Sequence, residues 1–261
     1  NERSKKKLKT IIKQVFKTEQ RPQKNITLDY EHNLSMVALE HLQDALVTFY
    51  SVFLDVSKDL YPDDFHKIEP HILRLHTWVG YDVDGRGDIF WNDSFSKRLK
   101  VKVNQLAIYE KKVEKILSKA TSKTLKSKLS KIKLRLSNAI SSNQKVLKSF
   151  ESKTFLNNFD EIKHISNFMH KNKEKLLTTI KPLTVEIQNI VNELKSGDIK
   201  ERNIILDEII LFKILIINCG LGLGRTQFRL NANQLNNAIS REVHLTGDPD
   251  DPSNKRSYLR S

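Results

Sequence analysis

From Phe95 to Ile140 the apolar residues return every three or four positions, and this spacing constrains the fold more than any other feature of the chain. Leu99, Val103, Leu106, Val113 and Leu117 form one row; Leu125, Leu129, Ile132, Leu136 and Ile140 form the next. A row with that period covers one side of an α-helix. The opposite sides carry Lys and Ser, so the pattern predicts two long solvated helices, paired as an antiparallel hairpin over about residues 94–150.

The same period recurs elsewhere. Leu34, Ala38, Leu42, Ala45, Phe49 and Phe53 mark a helix, and Pro62 ends that region. Phe159 to Met169 continues the pattern, as does the row Leu176, Ile180, Leu183, Ile187, Ile190 and Leu194. Pro182 lies inside this last row, which predicts a kink or a helix restart. Ile204 to Ile217 is apolar on most sides, as a buried helix must be, and Gly220 is placed to cap it. Leu235 to Val243 reads as a short helix, and 247–252 as a loop.

Two segments change period. In Ile72 to Val79, Leu73, Leu75, Thr77 and Val79 share one face, and Arg74, His76 and Trp78 the other. In Gly224 to Asn231, Arg225, Gln227, Arg229 and Asn231 alternate with Thr226, Phe228 and Leu230. Alternation of this kind is that of a β-strand.

Composition sets limits on function. The chain has 261 residues and a formal net charge of +14. Such a balance permits binding to nucleic acid or an anionic membrane. The lysines are spread along several helices and do not sit among aromatic side chains that could stack on bases, which argues against nucleic acid as the main partner. The single cysteine, Cys219, excludes an internal disulfide and a cysteine zinc cluster. The richest apolar stretch, Ile204 to Leu223, is broken by Asp207, Glu208, Lys213 and Asn218, and the first residues lack an apolar signal core. These features predict a soluble protein without a membrane partner in a reducing, cytoplasmic setting. The chain opens without Met and stops just after a loop, at residues that look like the start of another element. It therefore reads as a piece of a longer protein, with a basic lead-in over 1–30 and a single unit of a larger domain over 31–261.

The row Arg225, Gln227, Arg229 and Asn231 is the strongest chemical signal. Burying arginine without a partner is costly, and the nearest acids in sequence, Asp207 and Glu208, belong to the preceding helix. The row meets carboxylates from elsewhere, faces an anionic ligand, or lies on an edge strand in water. Asp82-Val83-Asp84-Gly85 has alternating acids but no closing glutamate, and its glycine comes too early for an EF-hand. The histidines show no metal spacing. Gly220-Leu221-Gly222-Leu223-Gly224 resembles a phosphate loop only loosely, because it lacks the lysine.

At the two strand-like segments the chain resembles the phosphoenolpyruvate carboxylase family. That family has a segment of the form Arg-Phe-x-x-Trp-x-Gly-Gly-Asp-Arg-Asp-Gly-Asn-Pro. Arg74, Trp78, Gly80, Asp82, Asp84 and Gly85 match it, whereas Tyr81, Val83 and Arg86-Gly87 depart from it. A later family segment, Gly-x-x-Leu-x-Arg-x-Asp-Ile-Arg-Gln-x-x-x-x-His, is matched at both arginines, Arg225 and Arg229; its Asp, Gln and His are absent, and Leu235 stands at the His position.

What this resemblance implies is a mainly α chain contributing a few strands to a TIM-type α/β barrel surrounded by many helices. It also implies a carboxy-lyase that forms oxaloacetate from phosphoenolpyruvate and bicarbonate, with Mg2+ stabilising the enolate, and a homo-oligomer, a tetramer, as the whole protein. Arg229, with Arg225, would hold the substrate's anionic groups, and Trp78 would keep the pocket dry. Arg74, Gly80, Asp82, Asp84 and Gly85 would shape the loop. The family's catalytic histidine and metal-binding acids have no match here, so this piece alone is expected to be inactive. The substitutions at Val83, Arg86 and Gly87 leave open a catalytically dead relative that binds an anion or a partner.

Overall fold

The computed structural model describes residues 2–17, 26–84, 87, 89–151, 158–196, 199–233 and 235–237. Its elements are α1 (Glu2–Lys17), α2 (Leu28–Leu60), a 3-10 turn (Phe65–Lys67), β1 (His76–Thr77), α3 (Trp91–Lys119), α4 (Lys123–Phe150), α5 (Phe159–Lys171), α6 (Lys173–Leu176), α7 (Lys181–Ser196), α8 (Ile199–Cys219) and β2 (Arg225–Thr226). The class is mainly α. The two strands pair in parallel as the only sheet among the described residues, so these residues form no TIM barrel.

The expected hairpin is α3 and α4, which pack along their full lengths. Ala120 closes α3 and Ser122 starts α4: the Ser122 hydroxyl accepts from the Leu125 backbone N–H at 3.2 Å, supplying a partner that the first turn of a helix otherwise lacks. Leu106, Val113, Leu129, Ile132 and Leu136 are essentially inaccessible. They share one core with Leu183, Ile187 and Ile190 of α7 and with Ile205, Ile209 and Ile216 of α8. Fully burying side chains of this size contributes about 1.5–3 kcal/mol each, before the opposing conformational entropy.

Pro182 produces a restart. Leu177 adopts a left-handed backbone (φ 53°) after α6, and α7 begins at Lys181 with Pro182 in its first turn, where a missing N–H costs nothing. Gly220 follows α8 with φ 63°, and its N–H closes on the Ile216 carbonyl at 2.9 Å, as a helix cap requires.

Helix α2 differs from its sequence reading. The periodic row is real, but Leu34, Ala38, Leu42, Ala45 and Phe49 are exposed. The buried row is the neighbouring one, Met36, Leu39, Leu46, Tyr50 and Leu54, interrupted by the buried polar residues His32 and Gln43. Gln43 is satisfied by Gln105 of α3, its amide donating at 3.0 Å. Buried polar groups need such partners, and this one ties α2 to α3. No helix of the described residues is long and apolar enough to cross a membrane.

Candidate functional site

Three hydrogen bonds aim the chain leaving α8 at the chain entering α3. The Tyr109 hydroxyl donates to the Gly220 carbonyl at 2.6 Å. Asn218 accepts from the Tyr50 hydroxyl at 3.1 Å and donates to the Pro70 carbonyl at 3.0 Å. Gly224 then packs tightly against Leu75, whose carbonyl would lie 2.8 Å from any added Cβ, so only glycine allows the backbones to approach this closely. The Arg225 N–H donates to the Leu75 carbonyl and the Gln227 N–H to the Thr77 carbonyl, both at 2.8 Å. His76 pairs with Arg225 and Thr77 with Thr226.

The regular ladder is much shorter than the alternation predicted, two residues per strand instead of eight. A turn interrupts it: the Tyr81 N–H bonds to the Trp78 carbonyl at 2.9 Å, with Gly80 at φ 86°. Pairing resumes beyond the turn, with Arg229 opposite Asp82. Ile72 and Leu73 before the ladder, and Phe228 and Leu230 along its second segment, remain exposed.

This register places Arg74, His76 and Trp78 on the same face as Arg225 and Gln227, and that face is open to solvent. Arg229 projects at the far end, where its guanidinium donates to the Asp82 carboxylate at 3.2 Å. Asn231 donates to Asp84 at 3.1 Å. The carboxylates that the polar row needed thus come from the chain just after the first strand-like segment: Asp82 for Arg229 and Asp84 for Asn231. Arg74 and Arg225 form no ion pair with a described residue. Gly85 lies outside the described residues. Trp78, half exposed at 52%, lines with Leu34, Val79, Gly80, Asp82 and Ile89 a cavity of about 470 Å³ beside this face.

The turn rests on a polar floor that sequence reasoning missed. Ser94 donates to the Gly80 carbonyl at 3.0 Å. A Cβ on Gly80 would meet Lys97 Cδ at 2.7 Å and His32 Cδ2 at 3.1 Å. Lys97 is paired with Asp29, and this hydrogen bond holds the Asp29 carboxyl below its usual range. Burial, reinforced by Lys97 and Lys100, pushes His32 down to about 4, so the ring is neutral at neutral pH. Burial pushes the Tyr81 phenol up to about 12. The sequence signal was the polar character of His32 and Lys97 on rows facing the interior, which periodicity alone does not weigh. Cys219 is a packed core thiol, pushed up to about 11 by burial, and so is a poor nucleophile.

Among the described residues no group of three or more His, Cys, Asp or Glu side chains is arranged to hold a metal ion. Compared with family models, curated proteins and solved structures, the chain matches none of them.

Proposed function

We propose that this chain is part of a carboxy-lyase of the phosphoenolpyruvate carboxylase type, contributing two adjacent strands of a barrel to a site for an anionic substrate. The observation that supports this reading is the pairing itself. The two segments that resemble the family's motifs lie side by side in parallel, with Arg74, His76, Trp78, Arg225 and Gln227 on one open face and Arg229 at its end. Guanidinium groups there can take a carboxylate or a phosphoryl group two-pronged. Trp78 and the residues Leu34, Val79 and Ile89 beside it supply an apolar wall next to this face. Asp82 restrains Arg229, and Asp84 restrains Asn231. The magnesium ion of this chemistry would supply charge stabilisation of the enolate; the described residues do not fit it, and its ligands would have to come from outside them.

One observation favours a second reading. Arg229 already has a carboxylate partner in Asp82, as it would in a catalytically inactive relative that binds an anionic ligand or a partner. The test is oxaloacetate formation by the full-length parent protein supplied with phosphoenolpyruvate, bicarbonate and Mg2+. Turnover that drops sharply in Arg229→Gln supports the carboxylase. Binding of phosphoenolpyruvate without turnover supports the inactive relative, and neither binding nor turnover removes both. A nucleic-acid role, suggested by charge alone, requires a steep fall of affinity with salt.

A further inference from the structure

The glycine-rich segment after α8 lacks the lysine of a phosphate loop, yet the fold brings cations to it from another helix. Arg98 of α3 packs directly beneath Gly222: a Cβ at that position would lie 2.1 Å from Arg98 Nη1 and 2.9 Å from its Cζ. Nη1 is inaccessible and has no hydrogen-bond acceptor. Lys102 lies one turn further along α3, on the same side. Both side chains are only partly accessible, and neither forms an ion pair with a described residue. The nearby polar side chain is the Tyr81 phenol, itself within the field of Arg98.

Two like charges one turn apart, half removed from water and without a carboxylate, work against folding. Lys102 records the conflict: burial first, and Arg98 second, push its ammonium down to about 8. A bound dianion would remove this penalty. The neighbouring ion pairs differ: Lys97 has Asp29 and Lys119 has Glu208. At Gly222 a side chain would push the Arg98 guanidinium aside, whereas at Gly80 it would meet the aliphatic stem of Lys97, whose ammonium is paired with Asp29.

We propose that Arg98 and Lys102, beneath the loop at Gly222, form a subsite for a small dianionic oxyanion, phosphate or a phosphoryl group, separate from the open arginine face. The two sites are separate: Arg98 reaches the loop from α3, with Lys102 one turn further along the same helix, whereas Arg225 is exposed on the open face. The occupant is an oxyanion and not a single carboxylate, because two cations need a charge near −2 and several acceptor atoms.

The test is calorimetric titration of the chain with inorganic phosphate, with acetate as the monoanionic control. Phosphate is expected to bind at millimolar or lower concentration and acetate at least tenfold more weakly. Arg98→Gln and Lys102→Gln should each weaken phosphate at least tenfold, and Gly222→Ala should do so by displacing the guanidinium. Lys133→Gln, which removes a cation of α4 paired with Glu114 and outside both anion sites, should leave the phosphate affinity within twofold. In phosphate-free buffer Arg98→Met should raise Tm, since an unpaired charge is removed. Absence of phosphate binding overturns the proposal, as does loss of binding in Arg229→Gln alone, which would move the anion to the open face. A lower Tm in Arg98→Met also overturns it, by revealing a protein partner for the guanidinium. Should Arg98→Gln fail to fold, Lys102→Gln and Gly222→Ala carry the same readout.

Discussion

The helical core and the β1–β2 pair are built from the same chain but stand in opposite relations to solvent. In the core, α3, α4, α7 and α8 cover one another, and residues such as Leu106, Leu136 and Leu183 are sealed from water. In the sheet, only the face toward the helices is covered. The other face presents Arg74, His76, Trp78, Arg225 and Gln227 to solvent, and Phe228 and Leu230 are about half exposed. Stability resides in the first region and the proposed ligand chemistry in the second, so substitutions should separate the two properties.

The largest effect is expected in the core. Leu136→Ala should cost about 3 kcal/mol in denaturant unfolding, because it opens a cavity where neighbours on several helices cannot all relax. A loss below about 1 kcal/mol would mean that the bundle is looser than its burial indicates. The next effect lies at the junction of the two regions, beneath the Gly80 turn. His32 titrates near 4 when folded and near 6.5 when unfolded. The unfolded chain therefore takes up the proton first, and stability falls as pH drops from about 6.5 toward about 4. Between pH 7 and pH 4.5 the wild type should lose about 2–3 kcal/mol more than His32→Gln, measured as the difference in urea midpoint at the two pH values. Equal losses would show that the ring is solvated. A smaller effect is expected at the hairpin turn: Ser122→Ala should cost about 1 kcal/mol, because the Leu125 N–H loses its acceptor. The smallest is on the open face. Arg229→Gln should change stability by less than about 0.5 kcal/mol, since its ion pair with Asp82 is largely exposed, while abolishing the binding of an anionic substrate. A large loss of stability there would assign Arg229 a structural duty and weaken the carboxylase reading.

How much of this was legible in sequence depended on whether the interaction was local. The α3–α4 hairpin was legible because Leu125, Leu129, Ile132 and Leu136 are buried by the same period that forms their helix. The restart at Pro182 and the cap at Gly220 were legible for the same reason, since each is a local backbone demand. On α2 periodicity failed to choose a side. The helix is apolar on two faces, and tertiary packing buried Leu39, Leu46 and Tyr50 while leaving Leu42 and Phe49 out. Alternation found both strand-like segments but overstated the ladder, because it reports which way side chains point and not which N–H finds a partner. The match of Arg229 with Asp82 joins residues 147 positions apart, and no local signal carries such information. Arg98 was hidden among the cations of α3, because the loop at Gly222 that covers it lies far away in sequence.

The parallel pairing of His76 with Arg225 also has a kinetic consequence. Nearly the whole bundle lies between these two residues, so closing the pair directly from an open chain would cost loop entropy for very few hydrogen bonds. Helices α3, α4, α7 and α8 must first fold that length of chain back on itself, and only then do Leu75 and Arg225 come within reach. The strands that carry the arginines are therefore expected to pair late in folding, after the bundle has formed.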